Sequence, residues 1–325
     1  MKVLIIRFSS IGDIVLTTPV VRCLKQQKKA TIHYLIKKNY IEVLQNNVYL
    51  DKILVFDKKE KKQTIKQLKK ENYDLIIDLQ NNLNSFIIKR KLFKKTSTVN
   101  KKNIKKWLLV NTGKDLLKKE HIVERYFQTI KSINVKNDYK GLDFFINPKV
   151  EKSLTISKSK ILQKPFIAWA IGATYSKKKL SIIQIIEVLN RYDKPVALLG
   201  GIKEKKEAEQ IILSTKNKKV ISFCGKLNLQ ESAFLVNKSE LILTNDTGLM
   251  HVASALKKQI ISFWGCTKPS LGMAPYKANE YSVQLVSYPN SPPCSKLGNR
   301  CRKHKQACIL EINPDEIYKT LIKRA

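Results

Sequence analysis

No run in this sequence approaches the ~18 consecutive apolar residues that a membrane-spanning helix requires. Met1 leads directly into an apolar stretch, with neither the basic region nor the small-residue cleavage site of a signal peptide. The expected location is therefore cytoplasmic. The glycine fingerprints are missing too: there is no GxGxxG for a dinucleotide and no GxxxxGK for a P-loop. No DxD-like carboxylate pair marks a donor turn, and the cysteines form no CxxC pair of the kind found in a zinc ribbon or knuckle. Acidic residues are scarce. Against 62 Lys+Arg stand 26 Asp+Glu, a net charge of +36, which exceeds what solubility needs and favours polyanionic partners. Few of these cations are arginine, whose fork geometry base readout relies on, so a diffuse field is expected and specific nucleic-acid binding is not. A biased composition accounts equally well for any single lysine run.

At 325 residues and 43% hydrophobic, the chain can bury one large or two ordinary cores, and two domains are expected. Short apolar runs alternate with amphipathic stretches. Strands are predicted at Val3–Phe8, Thr31–Ile36, Ile53–Phe56 and Leu75–Asp78, with helices at Asp13–Lys28, Lys61–Glu71 and Glu120–Ile133. A polar passage over Asn147–Gln163 reads as a linker. The alternation then restarts with strands at Phe166–Ile171, Val196–Leu199, Val220–Phe223, Leu241–Thr244 and Ile260–Trp264. Helices fall between them, and a last one runs over Pro314–Arg324. The pattern predicts an α/β protein of two doubly wound parallel sheets: residues 1–155, residues 156–312, and a terminal helix over 313–325. Ligands are expected at the strands' carboxyl ends and in a cleft between the domains.

Four turns carry candidate chemistry. Ser9-Ser10-Ile11-Gly12-Asp13 follows the first strand and opens a helix, which leaves Asp13 open to two roles, N-terminal cap and general base. Thr244-Asn245-Asp246-Thr247-Gly248, with His251 beyond, follows another strand, and its exposed amides at a helix N-terminus suit a diphosphate. The same residues also read as an ordinary turn and cap, and His251 as a core histidine. Gly172-Ala173-Thr174 with Lys178, and Gly200-Gly201 with Glu204, end two more strands of that half. Cys23, Cys224 and Cys266 look like small core residues. Cys294, Cys301 and Cys308 recur every seven residues, with His304 between the last two; a tethered thiol-bearing loop with no obligatory metal is the expectation there, and a metal site is the lesser alternative.

These residues resemble glycosyltransferase family 9, the heptosyltransferases of lipopolysaccharide core assembly, over most of the length. The carriers are Ser9–Asp13 with Pro19, Tyr73–Gln80 with Ser85, Gly172-Ala173 with Lys178, and Gly200-Gly201 with Glu204. Gly225-Lys226 with Leu229, Asn245–Gly248 with His251 and Ala253, and the tail Cys294, Arg300, Cys301, His304 and Cys308 complete them. The resemblance implies a GT-B fold: an acceptor-binding N-terminal domain and a C-terminal domain that holds a nucleotide-diphosphate sugar, ADP-heptose. It also implies metal-independent inversion with Asp13 as base. Lys178, Thr174 and the Asp246–Gly248 turn with His251 would hold the donor, and Glu204 the ribose. No cofactor is implied beyond the donor. The implied acceptor is a lipid-linked saccharide of the lipopolysaccharide inner core, met by a monomer peripheral to the inner face of the cytoplasmic membrane. The basic segment Lys89–Lys106, placed on the acceptor domain, is expected to face that anionic surface. Where the family carries an aromatic residue and a proline after the lysine, this chain has Leu180 and Ser181, which leaves the choice among Lys177, Lys178 and Lys179 open. The competing readings are another GT-B nucleotide-sugar enzyme, such as an epimerase, and a basic nucleic-acid-binding protein.

Overall fold

The computed structural model describes residues 1–117, 120–153, 164–301 and 306–324. Residues 154–163 of the expected linker, and His304, lie outside these. The chain forms two compact units, Met1–Lys102 with Glu120–Phe145, and Asn103–Lys119 with Ile146–Ala325.

The first unit is built from β1 (Lys2–Ile6), α1 (Ile11–Val15), α2 (Thr18–Lys28), β2 (Thr31–Ile36), β3 (Lys52–Val55), α3 (Lys61–Lys70), β4 (Leu75–Asp78), α4 (Leu83–Leu92) and β5 (Thr96–Thr98). The chain then supplies α5 (Asn103–Thr112) to the second unit and returns with α6 (Ile122–Gln128). All sheet pairings are parallel, in the order β3-β2-β1-β4-β5. Continuous apolar runs such as Val3–Ile6 suit strands covered on both faces, and these four residues are wholly buried. The helix predicted over Asp13–Lys28 is two helices. The Thr17 and Thr18 hydroxyls donate to the carbonyls of Ile14 and Val15, both at 2.7 Å, and compete with the helical ladder. Pro19 then sits in the first turn of α2, where its missing N–H costs nothing.

The second unit holds α7 (Val150–Ser153), β6 (Ile167–Ala170), α8 (Ile182–Leu189), β7 (Val196–Leu199), α9 (Lys205–Ser214), β8 (Val220–Ser222), α10 (Leu229–Lys238), β9 (Leu241–Asn245), α11 (Gly248–Ala255), β10 (Gln259–Trp264), β11 (Val283–Val286) and α12 (Pro314–Ile322). Its sheet is again parallel, in the order β11-β10-β9-β6-β7-β8. One core gathers Ile185, Val188 and Leu189 of α8 with Ile317 and Leu321 of α12. Another gathers Leu235, Val236, Met250 and Ala253 from α10 and α11. Each buried Val, Leu, Ile or Met side chain among these contributes roughly 1.5–3 kcal/mol. The start of α12 is set by Pro314 in its first turn and by Asn313, whose side chain accepts from the Asp315 amide at 2.8 Å. Among the described residues no helix is long and apolar enough to cross a membrane.

Strand order reverses between β1 and β4 in the first sheet and between β6 and β9 in the second. In doubly wound sheets the loops leaving such neighbours depart to opposite sides and open a crevice for ligand. Of the turns singled out in the sequence, three follow β1, β6 and β9, and the Gly200-Gly201 turn follows β7.

Candidate active site

At the end of β1, Asp13 is anchored twice. Its Oδ1 lies 2.7 Å from the Arg7 guanidinium, and its Oδ2 accepts from the Ser10 hydroxyl at 2.8 Å and the Ser10 amide at 3.3 Å. The reach back to Ser10 is the capping role, made from the first turn of α1. Arg7 is the residue that the sequence did not single out. Its Nε donates to the Ser9 carbonyl at 2.8 Å and its NH1 to the Leu79 carbonyl at 2.7 Å, so one guanidinium ties the ends of β1 and β4 to Asp13. Burial pushes the Arg7 pKa down, but Tyr126, Asp13 and Tyr34 more than offset it, and the group is held above its ordinary value as a fixed cation. Gln80 adds a second tie, accepting from the Phe8 amide at 2.8 Å. The Ser9–Ser10 peptide bond is cis.

In the second unit the turns after β6 and β9 meet. Asn245 donates to the carbonyls of Ile171 and Gly172 at 3.1 and 3.2 Å and accepts from the Leu180 amide at 3.3 Å. This lock places Lys178, at the end of a 3-10 turn over Ser176–Lys178, with its Nζ 2.5 Å from Asp246 Oδ2. Thr267 donates to the same oxygen at 2.9 Å. Thr247 and Gly248 begin α11, Thr247 Oγ1 lies 3.3 Å from Thr244 Oγ1, and His251 is buried one turn on. Thr174 is exposed in the loop leading to Lys178. Each neighbour of Lys178 is placed elsewhere: Lys177 is exposed, and Lys179 pairs with Glu207 at 2.5 Å and Glu204 at 3.6 Å. Glu204 caps its own helical turn, accepting from the Gly201 amide at 2.9 Å. A Cβ at Gly172 would come within 3.0 Å of the Glu204 carboxyl carbon, so the glycine is what lets that side chain lie between the turns.

The basic segment Lys89–Lys106 is not one exposed face. Lys89 pairs with the buried Asp78 at 2.8 Å, Lys102 pairs with Glu120, Lys106 is buried, and residues from Asn103 on belong to the second unit. What α4 does expose is a mixed patch. Leu83, Phe86 and Phe93 are 73%, 50% and 93% exposed, beside exposed Arg90, Lys91 and Lys94, and Arg90 lies over the Phe86 ring at 5.8 Å.

Two parallel doubly wound sheets in one chain, each with its charged turn at the point of strand reversal, define the GT-B architecture. The structure is similar to that of the glycosyl transferase family 9 protein from Veillonella parvula DSM 2008, with a TM-score of 0.82 at 18% identity over 99% of this chain and 96% of that one. It is also similar to the E. coli heptosyltransferase WaaC with ADP, with a TM-score of 0.74 at 17% identity over the whole of both chains. In sequence it is 27% identical over 290 residues, 82% of this chain and 84% of the relative, to lipopolysaccharide heptosyltransferase 1 of Campylobacter coli. Residues 62–304 match the profile of glycosyltransferase family 9 (heptosyltransferase), and the chain belongs to that family. Membership makes it a glycosyltransferase and sets the epimerase and nucleic-acid readings aside.

Proposed function

We propose that this enzyme transfers a heptose from ADP-heptose to a lipid-linked lipopolysaccharide inner-core acceptor, with inversion at the anomeric carbon. The observation that carries the reading is the placement of Lys178 beside Asp246 at the head of α11, where a cation and helix amides converge at a strand-order reversal. That arrangement suits a diphosphate. The similar proteins, one named a lipopolysaccharide heptosyltransferase and one a heptosyltransferase with ADP, support heptose as the sugar and adenosine diphosphate as its carrier.

In a direct displacement the acceptor hydroxyl oxygen forms a bond to the anomeric carbon as the bond from that carbon to the diphosphate oxygen breaks. The hydroxyl proton passes to Asp13, and the bonding pair leaves with ADP. Lys178 and the Thr247 and Gly248 amides meet the charge that develops on the departing diphosphate, so the protein itself supplies the positive field there. His251 and Thr174 flank the donor, and Glu204 turns from Gly201 to the ribose. Arg7 and Ser10 fix the orientation of the Asp13 carboxylate. A carboxylate offers about four acceptor sites, so these contacts are compatible with its taking a proton. The acceptor lipid is met through the exposed face of α4, at the inner face of the cytoplasmic membrane.

Thermal stabilisation by a panel of nucleoside diphosphates tests the donor class, because a ligand bound only by the native state raises its stability by RT ln(1 + [L]/Kd). ADP and ADP-heptose are expected to raise Tm more than the UDP, GDP and CDP counterparts do. Stabilisation by UDP compounds and none by ADP would contradict the proposal.

A further inference from the structure

Four thiols converge where the sequence showed only a periodic three. Cys266 follows β10, Cys294 and Cys301 lie on the loop beyond β11, and Cys308 opens a 3-10 turn over Cys308–Glu311. Their sulfurs all lie within 4.8 Å of one another: Cys294 to Cys308 is 3.4 Å, Cys294 to Cys301 3.8 Å, and Cys301 to Cys308 3.1 Å. All are free thiols; Cys266, Cys294 and Cys308 are at most 2% exposed, and Cys301 is partly exposed. A tetrahedral ion with metal–sulfur bonds of about 2.3 Å would set its ligands about 3.8 Å apart. The cluster needs only small adjustments to reach that.

Backbone contacts hold the three segments together independently of the sulfurs. The Cys294 and Ser295 amides both donate to the Cys266 carbonyl, at 2.9 and 3.3 Å. A Cβ at Gly265 would come within 2.7 Å of the Ile309 nitrogen, so only glycine permits this approach of the β10 end to the Cys308 turn. The cluster also adjoins the diphosphate turn on two sides. Cys266 precedes Thr267, which bonds Asp246. Gly298, at φ +78° between Cys294 and Cys301, lies against the Lys178 stem, where a Cβ would come within 2.5 Å of Lys178 Cγ and Cδ.

We propose that Cys266, Cys294, Cys301 and Cys308 bind one thiophilic divalent ion, zinc or ferrous iron, in a closed tetrahedral site that staples the C-terminal loop against Lys178. Binding replaces four S–H protons with four metal–sulfur bonds, and four protein ligands leave no open position, which makes the role structural. The ion site stands on the thiol geometry alone; its effect on nucleotide binding rests on the donor reading above.

The test is elemental analysis of the full-length protein, expressed with zinc and iron in the medium and purified anaerobically without chelator. One metal atom per chain is expected. Iron would declare itself by visible thiolate charge-transfer absorption on oxidation. Zinc is silent, but its replacement by cobalt gives the visible bands of a tetrahedral tetrathiolate. Cys301→Ser is expected to lower occupancy several-fold, whereas Cys23→Ala, outside the cluster, retains the metal. Folded wild-type protein with less than about a tenth of an atom per chain and no cobalt spectrum on reconstitution would overturn the site. So would a Cys294–Cys308 disulfide found in peptides from the anaerobic preparation. Folded Cys301→Ser protein is expected to bind ADP several-fold more weakly than wild type. Unchanged ADP affinity in metal-poor variant protein would overturn the link to Lys178 and leave the ion site standing.

Discussion

Arg7, Asp13, Lys178 and Asp246 form two ion pairs, Arg7 with Asp13 and Lys178 with Asp246, each at a strand end and each tied to a neighbouring turn by further hydrogen bonds. A charge held this way does not have to be reorganised when substrate arrives, which is where electrostatic stabilisation gains its strength. The consecutive Lys177, Lys178 and Lys179 show what a string of identical residues conceals. Only tertiary contacts separate them, sending Lys178 to Asp246 and Lys179 to Glu204 and Glu207. Lys178→Ala is expected to weaken ADP binding about 10- to 100-fold, the worth of a charge-assisted hydrogen bond, and to leave adenosine binding nearly unchanged. Lys177→Ala is expected to alter neither. Calorimetric titration with both ligands checks this, and equal losses from the two variants would replace a specific contact with a diffuse field. Arg7 and Cys266 were hidden for a related reason: the first meets Leu79 across the sheet, and the second meets thiols that lie well beyond it in the chain. The Ser10–Asp13 spacing, by contrast, is local, and the capping contact it suggests is present.

At the scale of elements, α2 is held to the first unit by more than its apolar face. Arg22, 3% exposed on that helix, makes a two-pronged contact with Asp138 at 2.8 Å per bond and also pairs with Asp143. Hydrogen bonds from Arg22 lower the Asp138 pKa from 3.8 to about 2, and Lys2 and Lys52 lower that of Glu71 from 4.5 to about 2. A depressed carboxylate pKa contributes stability that is fully present above the ordinary value and is lost as pH falls through the folded one. The first unit is therefore expected to lose thermal stability as pH drops from about 5 to about 2. Asp138→Asn is expected to lower Tm at pH 7 and to flatten the decline over that window; melting curves across it check this, and an unchanged slope would contradict the account. Buried central strands were legible as apolar runs, and β2, β4 and β7 fall at their predicted bounds. The edge strands β5 and β11 were not, because Thr96–Thr98 is polar and largely exposed, and the exposed Gln284 interrupts the short apolar run of Val283–Val286. Helices α4 and α5 were obscured by their lysines, and the break between α1 and α2 by side-chain bonds that periodicity does not register.

For the whole molecule, a charge of +36 draws the chain toward any anionic surface, but attraction alone does not orient it. In the proposed docking the α4 patch would supply orientation, with Leu83, Phe86 and Phe93 entering the lipid interface and Arg90, Lys91 and Lys94 meeting phosphates at about 1 kcal/mol each. Phe93→Ser with Arg90→Glu and Lys91→Glu is expected to reduce binding to anionic vesicles at least tenfold at fixed salt, with transfer to a soluble acceptor fragment unchanged. Vesicle binding that persists would place docking elsewhere on the surface. Two doubly wound parallel sheets followed from alternation and the GT-B arrangement from the family resemblance, whereas the chemistry needed the two strand-order reversals to be located, and these exist only in the folded sheets. Transfer of heptose from ADP-heptose to an inner-core acceptor by wild-type enzyme and by Asp13→Asn, followed by mass spectrometry of the product, tests the central claim most directly. The amide can still accept from Ser10 but is a far weaker proton acceptor. The account predicts a heptosylated product from wild type, with kcat lowered about 10²- to 10⁴-fold in the variant while folding and ADP binding are retained. No product from wild type, or wild-type turnover by Asp13→Asn, would contradict it.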